Sequence, residues 1–188
     1  DASGCDASSL TGSAVVTVNS PAVGTVTASA SPATVCLGSS STLTAGAAGN
    51  TGTMSYAWSN GGTGASISVS PTVNTTYTVT ATATVGGCTA TTSKTVAVAV
   101  NSPAVGTVTA SADPATICNG GSAELTAGAT GNTGTMSYAW SNGGTGASIT
   151  VSPTVNTTYT VTATATVGGC TATTSKTVEV IVETPSVG

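Results

Sequence analysis

Asn19-Ser20-Pro21-Ala22-Val23-Gly24 returns 82 residues later as Asn101-Ser102-Pro103-Ala104-Val105-Gly106, and all but about ten of the 82 aligned positions between are identical. Whatever one copy folds into, the other must fold into as well, so the period sets the size of the structural unit. The ends fit the same period. Gly4-Cys5 followed by Ala14-Val15-Val16-Thr17-Val18 reads as a divergent copy of Gly87-Cys88 and Thr95 to Val100, with one residue more between them. Thr184 to Gly188 copies Ser102 to Gly106. The expected organisation is the terminal strand of a preceding repeat over residues 1–19, whole repeats over 20–101 and 102–183, and the start of a following repeat over 184–188. The opening Asp1-Ala2-Ser3-Gly4-Cys5 lacks the basic-then-apolar pattern of a signal peptide. It reads as a mature chain or a piece of a longer one.

Within a copy the apolar residues alternate. Tyr77, Val79, Ala81, Ala83 and Val85 fall on one side of a strand whose other side is threonine, and Val96, Val98 and Val100 repeat the pattern. Shorter strands are expected near 23–28, 40–45, 53–59 and 65–70. Turn sequences separate them, such as Asn60-Gly61-Gly62 and Ser70-Pro71. Six or seven short strands in 82 residues predict an all-β sandwich. The differences between copies respect this phase. Thr42→Glu124 and Ala97→Glu179 place charge outward, Val35→Ile117 keeps an inward apolar side chain, and Ser41→Ala123 suits an inward position. Ala99→Ile181 adds an apolar residue on the outer face beside a junction, where it would meet a neighbouring unit.

Charge excludes several functions. Two lysines, no histidine and a net charge of −4 leave no basic surface for phosphates, so nucleic acid is not a partner. No apolar stretch reaches the 18 residues a membrane helix needs, so the segment is expected not to insert into a membrane. General acid–base and nucleophilic catalysis need paired titratable groups. Here serine and threonine have no histidine to activate them, and no enzymatic activity is expected. Cys/His metal spacing and calcium-loop patterns are also missing, so no metal or cofactor is expected. Lys94 and Lys176 read as solvated charges that discourage edge-to-edge pairing.

Cysteines fall at positions 5, 36, 88, 118 and 170. Cys36 and Cys88 are 52 apart, as are Cys118 and Cys170. The economical pairing is therefore one bond per repeat, with buried free thiols as the alternative. A loop of that length would stabilise a unit by about 4 kcal/mol in the chain-entropy description. Cys5 is then unpaired or bonded to a neighbouring chain. Tyr56, Trp58 and Tyr77, with their copies Tyr138, Trp140 and Tyr159, are expected to form the core. The competing role is a sugar-stacking platform. Asn74-Thr75-Thr76 and Asn156-Thr157-Thr158 match the N-glycosylation sequon at Asn74 and Asn156.

Val35-Cys36-Leu37-Gly38, Ser41-Thr42-Leu43-Thr44 and Tyr56-Ala57-Trp58-Ser59-Asn60-Gly61 together resemble the bacterial immunoglobulin-like or PKD-like repeat. Ser68 to Pro71, Thr75 to Thr80 and Gly86 to Thr89 continue the likeness, and Ile117-Cys118-Asn119-Gly120 restates it in the second copy. Such repeats occur in very large secreted surface proteins, among them gliding-type adhesins exported by type IX secretion. The resemblance implies an extracellular or cell-surface location and a stalk or fibre role. It implies Cys36–Cys88 and Cys118–Cys170 as disulfides, Trp58 and Trp140 as core tryptophans, and Tyr77 and Tyr159 as tyrosine corners. The expected partners are neighbouring copies of the same repeat, joined head to tail through the short Val100-Asn101-Ser102-Pro103 junction and able to share strands. The alternative is an array of carbohydrate-binding modules presenting Tyr/Trp faces to surface glycans, with repetition supplying avidity.

Overall fold

In the computed structural model, residues 15–184 are described; Cys5 lies outside them. The first copy forms β1 (Thr25–Ser31), β2 (Thr34–Cys36), β3 (Ser41–Ala48), β4 (Thr53–Trp58), β5 (Ser66–Val69), β6 (Thr75–Val85) and β7 (Cys88–Asn101). The second forms β8 (Thr107–Asp113), β9 (Thr116–Cys118), β10 (Ala123–Thr130), β11 (Thr135–Trp140), β12 (Ser148–Val151), β13 (Thr157–Val167) and β14 (Cys170–Glu183). Each boundary recurs at the sequence period. By contacts the chain divides into two compact units. One holds residues up to Ala30 with Thr42–Ser68 and Thr76–Val96; the other holds Ser31–Ser41, Val69–Thr75 and the chain from Ala97 onward.

Each copy builds a three-stranded sheet, in the order β1-β3-β5 or β12-β10-β8, and a four-stranded sheet, β2-β7-β6-β4 or β11-β13-β14-β9. The chain changes sheets between β1 and β2, at Ser31-Pro32, because β1 lies beside β3 whereas β2 runs parallel to the end of β7. This is the immunoglobulin-like sandwich, with the first strand split between both sheets. Among the described residues, every sheet draws its strands from a single copy. The three-residue β2 and β9 escape an alternation argument, since a segment that short has no period to read.

Threonine-rich alternation sets the faces. In β6, Tyr77, Val79, Ala81 and Ala83 are buried and the threonines between them are half-buried. β13 repeats this with Tyr159, Val161, Ala163 and Ala165. The core is filled from the other sheet by Leu43 and Ala45 in the first copy, and by Leu125 and Ala127 in the second. Ser41 is the one buried polar side chain among the described residues, and its hydroxyl donates to the Pro32 carbonyl at 2.7 Å. Ala123 takes its place in the second copy without that bond. Hydroxyl pairs join the outer faces of β6 and β7, Thr80 to Ser93 at 3.1 Å, and of β13 and β14, Thr162 to Ser175 at 3.0 Å. Thr42→Glu124 and Ala97→Glu179 are exposed, and Ile117 is as buried as Val35. Ile181 is 41% exposed, an apolar side chain on the outside of β14.

With no histidine in the chain, few groups change charge between pH 5 and 8. Stability varies with pH only where folding changes a group's proton affinity. The unfolding midpoint in urea is therefore expected to move by less than about 0.5 kcal/mol equivalent between pH 5 and pH 8, and by as little between 0.05 and 0.5 M salt. Denaturation curves at the four corners of that range check it.

Candidate functional site

The expected intra-repeat disulfides are not formed. Cys36 is bonded to Cys170, with a Cα–Cα distance of 5.5 Å and a sequence separation of 134. Cys88 and Cys118 are free and exposed. The register of β7 explains the difference. Cys36 lies opposite Asn101, the last residue of β7, whereas Cys88 is its first. Thirteen residues of extended strand separate those ends, about 40 Å at ~3.3 Å per residue. A disulfide tolerates a Cα separation of only about 4.4–6.8 Å. Cys118 lies opposite Glu183, at the far end of β14 from Cys170, and the same exclusion applies. Equal spacing in sequence gave no information about where on a long hairpin each cysteine sits.

Both partners of the bond belong to the second compact unit, although they come from different sequence copies. Cys170 opens β14 immediately after the Gly168-Gly169 turn. At Gly168 a side chain would have to push aside that of Asn101. Gly168 has φ +54°, and a Cβ there would lie 2.2 Å from Asn101 Nδ2. The last residue of β7 therefore abuts the β13–β14 turn, beside the strand that carries Cys36. The connection that follows is also fixed. Thr133 Oγ1 accepts a hydrogen bond from the Ala104 amide at 2.7 Å and donates to the Ser102 carbonyl at 3.3 Å. Thr51 holds Ala22 and Ser20 the same way in the first copy.

The aromatics divide by depth. Trp58 and Trp140 are each 4% exposed, and their indole N–H groups donate to the carbonyls of Gly64 and Gly146 at 3.0 and 3.1 Å. Tyr77 and Tyr159 are also buried. Met54, Tyr56 and Trp58 share one face of β4; Trp58 is buried, and Met54 and Tyr56 are half-buried. A platform that uses the tryptophan faces for sugar is thereby ruled out. What is left open is a shallow groove of about 500 Å³ along the β4 edge, lined by Met54, Tyr56, Ala57, Thr63, Gly64 and Ala65. Tyr138 lines the corresponding groove of about 520 Å³ in the second copy. The sequon asparagines have a structural task. Asn74 Oδ1 accepts from the Val100 amide at 2.7 Å and Asn156 Oδ1 from the Val182 amide at 2.8 Å, tying the loop before β6 or β13 to the end of β7 or β14.

Among the described residues no three His, Cys, Asp or Glu side chains converge to hold a metal ion. Lys94 lies on the stretch of β7 that β2 does not cover, an open sheet edge. Among the described residues, no helix is long and apolar enough to cross a membrane.

No known family matches the sequence, and no curated protein does. Solved structures similar to the chain include murine CEACAM1b, at 13% identity and a TM-score of 0.41 over 85% of this chain and 100% of that one. The N-terminal eight Ig domains of Down Syndrome Cell Adhesion Molecule give 12% identity and a TM-score of 0.45, over 85% of this chain and 24% of that one. The mouse nectin-like molecule 4 ectodomain gives 14% and 0.33, over 89% and 66%. At these values the likeness adds nothing to what the strand order states about the fold, and it identifies no ligand.

Proposed function

We propose that the chain is a structural segment of an extracellular filament or cell-surface stalk, in which successive copies of the repeat are joined head to tail and covalently locked. The observation that carries this reading is the Cys36–Cys170 bond, which links one sequence copy to the next instead of closing a copy on itself. A bond that reaches from one copy into the next carries tension across the junction, as a load-bearing strand requires. The clamped Ser102 to Ala104 connection supports the same reading, since a hydroxyl that binds both sides of Pro103 restricts bending there. A disulfide is retained in oxidising surroundings, which favours a location outside the cell or on its surface. The low charge and hydroxyl-coated strands suit a passive element that neither steers nor transforms a small molecule. The neighbours of each copy are further copies of the repeat.

Electron microscopy of native surface material, labelled with an antibody to the repeat, tests this. Label is expected along thin filaments or stalks. Label found only on dispersed single globules sinks the proposal.

A further inference from the structure

We infer that the groove beside β4, and its counterpart beside β11, each bind an uncharged sugar unit of a neutral polysaccharide. This goes beyond the stalk reading and does not depend on it. β4 is the last strand of its sheet, and after Trp58 the chain turns and runs back along its edge. The Gly64 amide donates to the Tyr56 carbonyl at 2.9 Å, and Ala57 bridges Thr63. The buried indole of Trp58 fixes this return by donating to the Gly64 carbonyl at 3.0 Å. Gly64 has φ +103°, where side chains are rarely found, and the space its Cβ would take is open. One wall of the groove is therefore bare backbone. The second copy repeats the construction, with the Gly146 amide on Tyr138 at 3.0 Å and the Trp140 indole on Gly146 at 3.1 Å.

The lining selects the ligand. No charged residue lines either groove, so neither an anion nor a cation finds a counter-charge there. Met54 and the Tyr56 ring offer an apolar surface, and Ser55, Thr63 and Thr82 stand beside it with hydroxyls that both donate and accept. Thr80 and Ser93, on the outer face of the same sheet, bond each other. Among the described residues nothing bonds the hydroxyls of Ser55, Tyr56, Thr63 or Thr82. A pyranose ring has the matching parts, an apolar C–H face and a rim of neutral hydroxyls. The volume, about 500 Å³, lies within the range of small-molecule sites.

The two copies supply an independent observation. Every difference between them lies outside residues 49–67 and 69–96, the stretches that build the groove. Exposed positions elsewhere have changed, as in Ser31→Asp113, Leu37→Asn119, Thr42→Glu124 and Ala97→Glu179. Solvent-facing substitutions shift stability by only about 0.5 kcal/mol. Folding alone therefore does not hold the exposed Ser55, Ala57, Thr63 and Ala65 unchanged. Three of the exposed changes introduce charge, and none of that charge enters a groove.

The test is native electrophoresis of the full oxidised chain through gels containing dextran, laminarin, konjac glucomannan or, as the charged control, alginate. At least one neutral polysaccharide is expected to retard the chain, and alginate is not. Ala57→Gln with Ala139→Gln fills both grooves without adding charge, at positions exposed in the fold. It should weaken retardation at least about tenfold, and either substitution alone by less, as for joined weak sites. Tyr56→Ala with Tyr138→Ala should do the same, with circular dichroism to show that the sandwich persists; if it does not, the glutamine pair carries the test. Thr42→Glu, the residue the second copy already holds at this place, should retain full binding. Retardation by none of the neutral polysaccharides, retardation by alginate alone, or unchanged binding in the Ala57→Gln, Ala139→Gln chain each overturns the inference. None of those results touches the stalk reading, which rests on the Cys36–Cys170 bond.

Discussion

Pulled from its two ends in a force experiment, the oxidised chain is expected to extend by only the residues outside the Cys36–Cys170 loop, and reduction should release the rest. The loop spans 134 residues, worth about 450 Å of added contour at ~3.4 Å per residue. Cys36→Ser should give the long contour without reductant, and Cys88→Ser the short one. The thermodynamic counterpart is also large. In the chain-entropy description a loop of this length contributes about 5 kcal/mol, more than the shorter intra-repeat loop would. Chemical denaturation of the chain against Cys36→Ser measures it. If the wild-type chain releases its full length without reductant, the bond between copies is not present.

Trp58→Ala should be the most damaging single substitution away from the cysteines. The indole is 4% exposed and its N–H is bonded to Gly64. Removing a buried aromatic of this size costs about 3–5 kcal/mol, on the order of 10 °C in the unfolding midpoint for a chain of this length. The surrounding core is mostly alanine and valine, which cannot collapse to refill the space. Trp140→Ala should behave alike, because β11 repeats β4 residue for residue. Circular dichroism melts of both variants check it. A folded variant that loses less than about 1 kcal/mol would show that the indole is not part of the core.

The sandwich was legible because β6 and β7 are long enough to show their period, and because the second copy supplies a substitution test for each face. Glu124, Glu179 and Ile117 stand where an outward-outward-inward assignment requires. The sheet switch at Ser31-Pro32 was not legible, since β2 is three residues long and its parallel partner lies more than sixty residues away. That one omission carried the disulfide with it. Without β2 in register against the last residues of β7, nothing in the sequence says that Cys36 and Cys88 are at opposite ends of the same strand. The asparagines of the two sequons were visible only as modification signals; their role as amide acceptors depends on a loop conformation that no local pattern encodes.

The placement of the bond changes what damage to the backbone means. A protease that cuts once at an exposed turn between Cys36 and Cys170, at Asn60-Gly61 for example, leaves two fragments that are still one molecule. Where one copy after another is linked this way, bridges of 134 residues outrun the 82-residue repeat, so a break anywhere in the backbone is spanned by at least one of them. The polypeptide would then resemble a laddered rope more than a thread, able to bear tension past a broken strand.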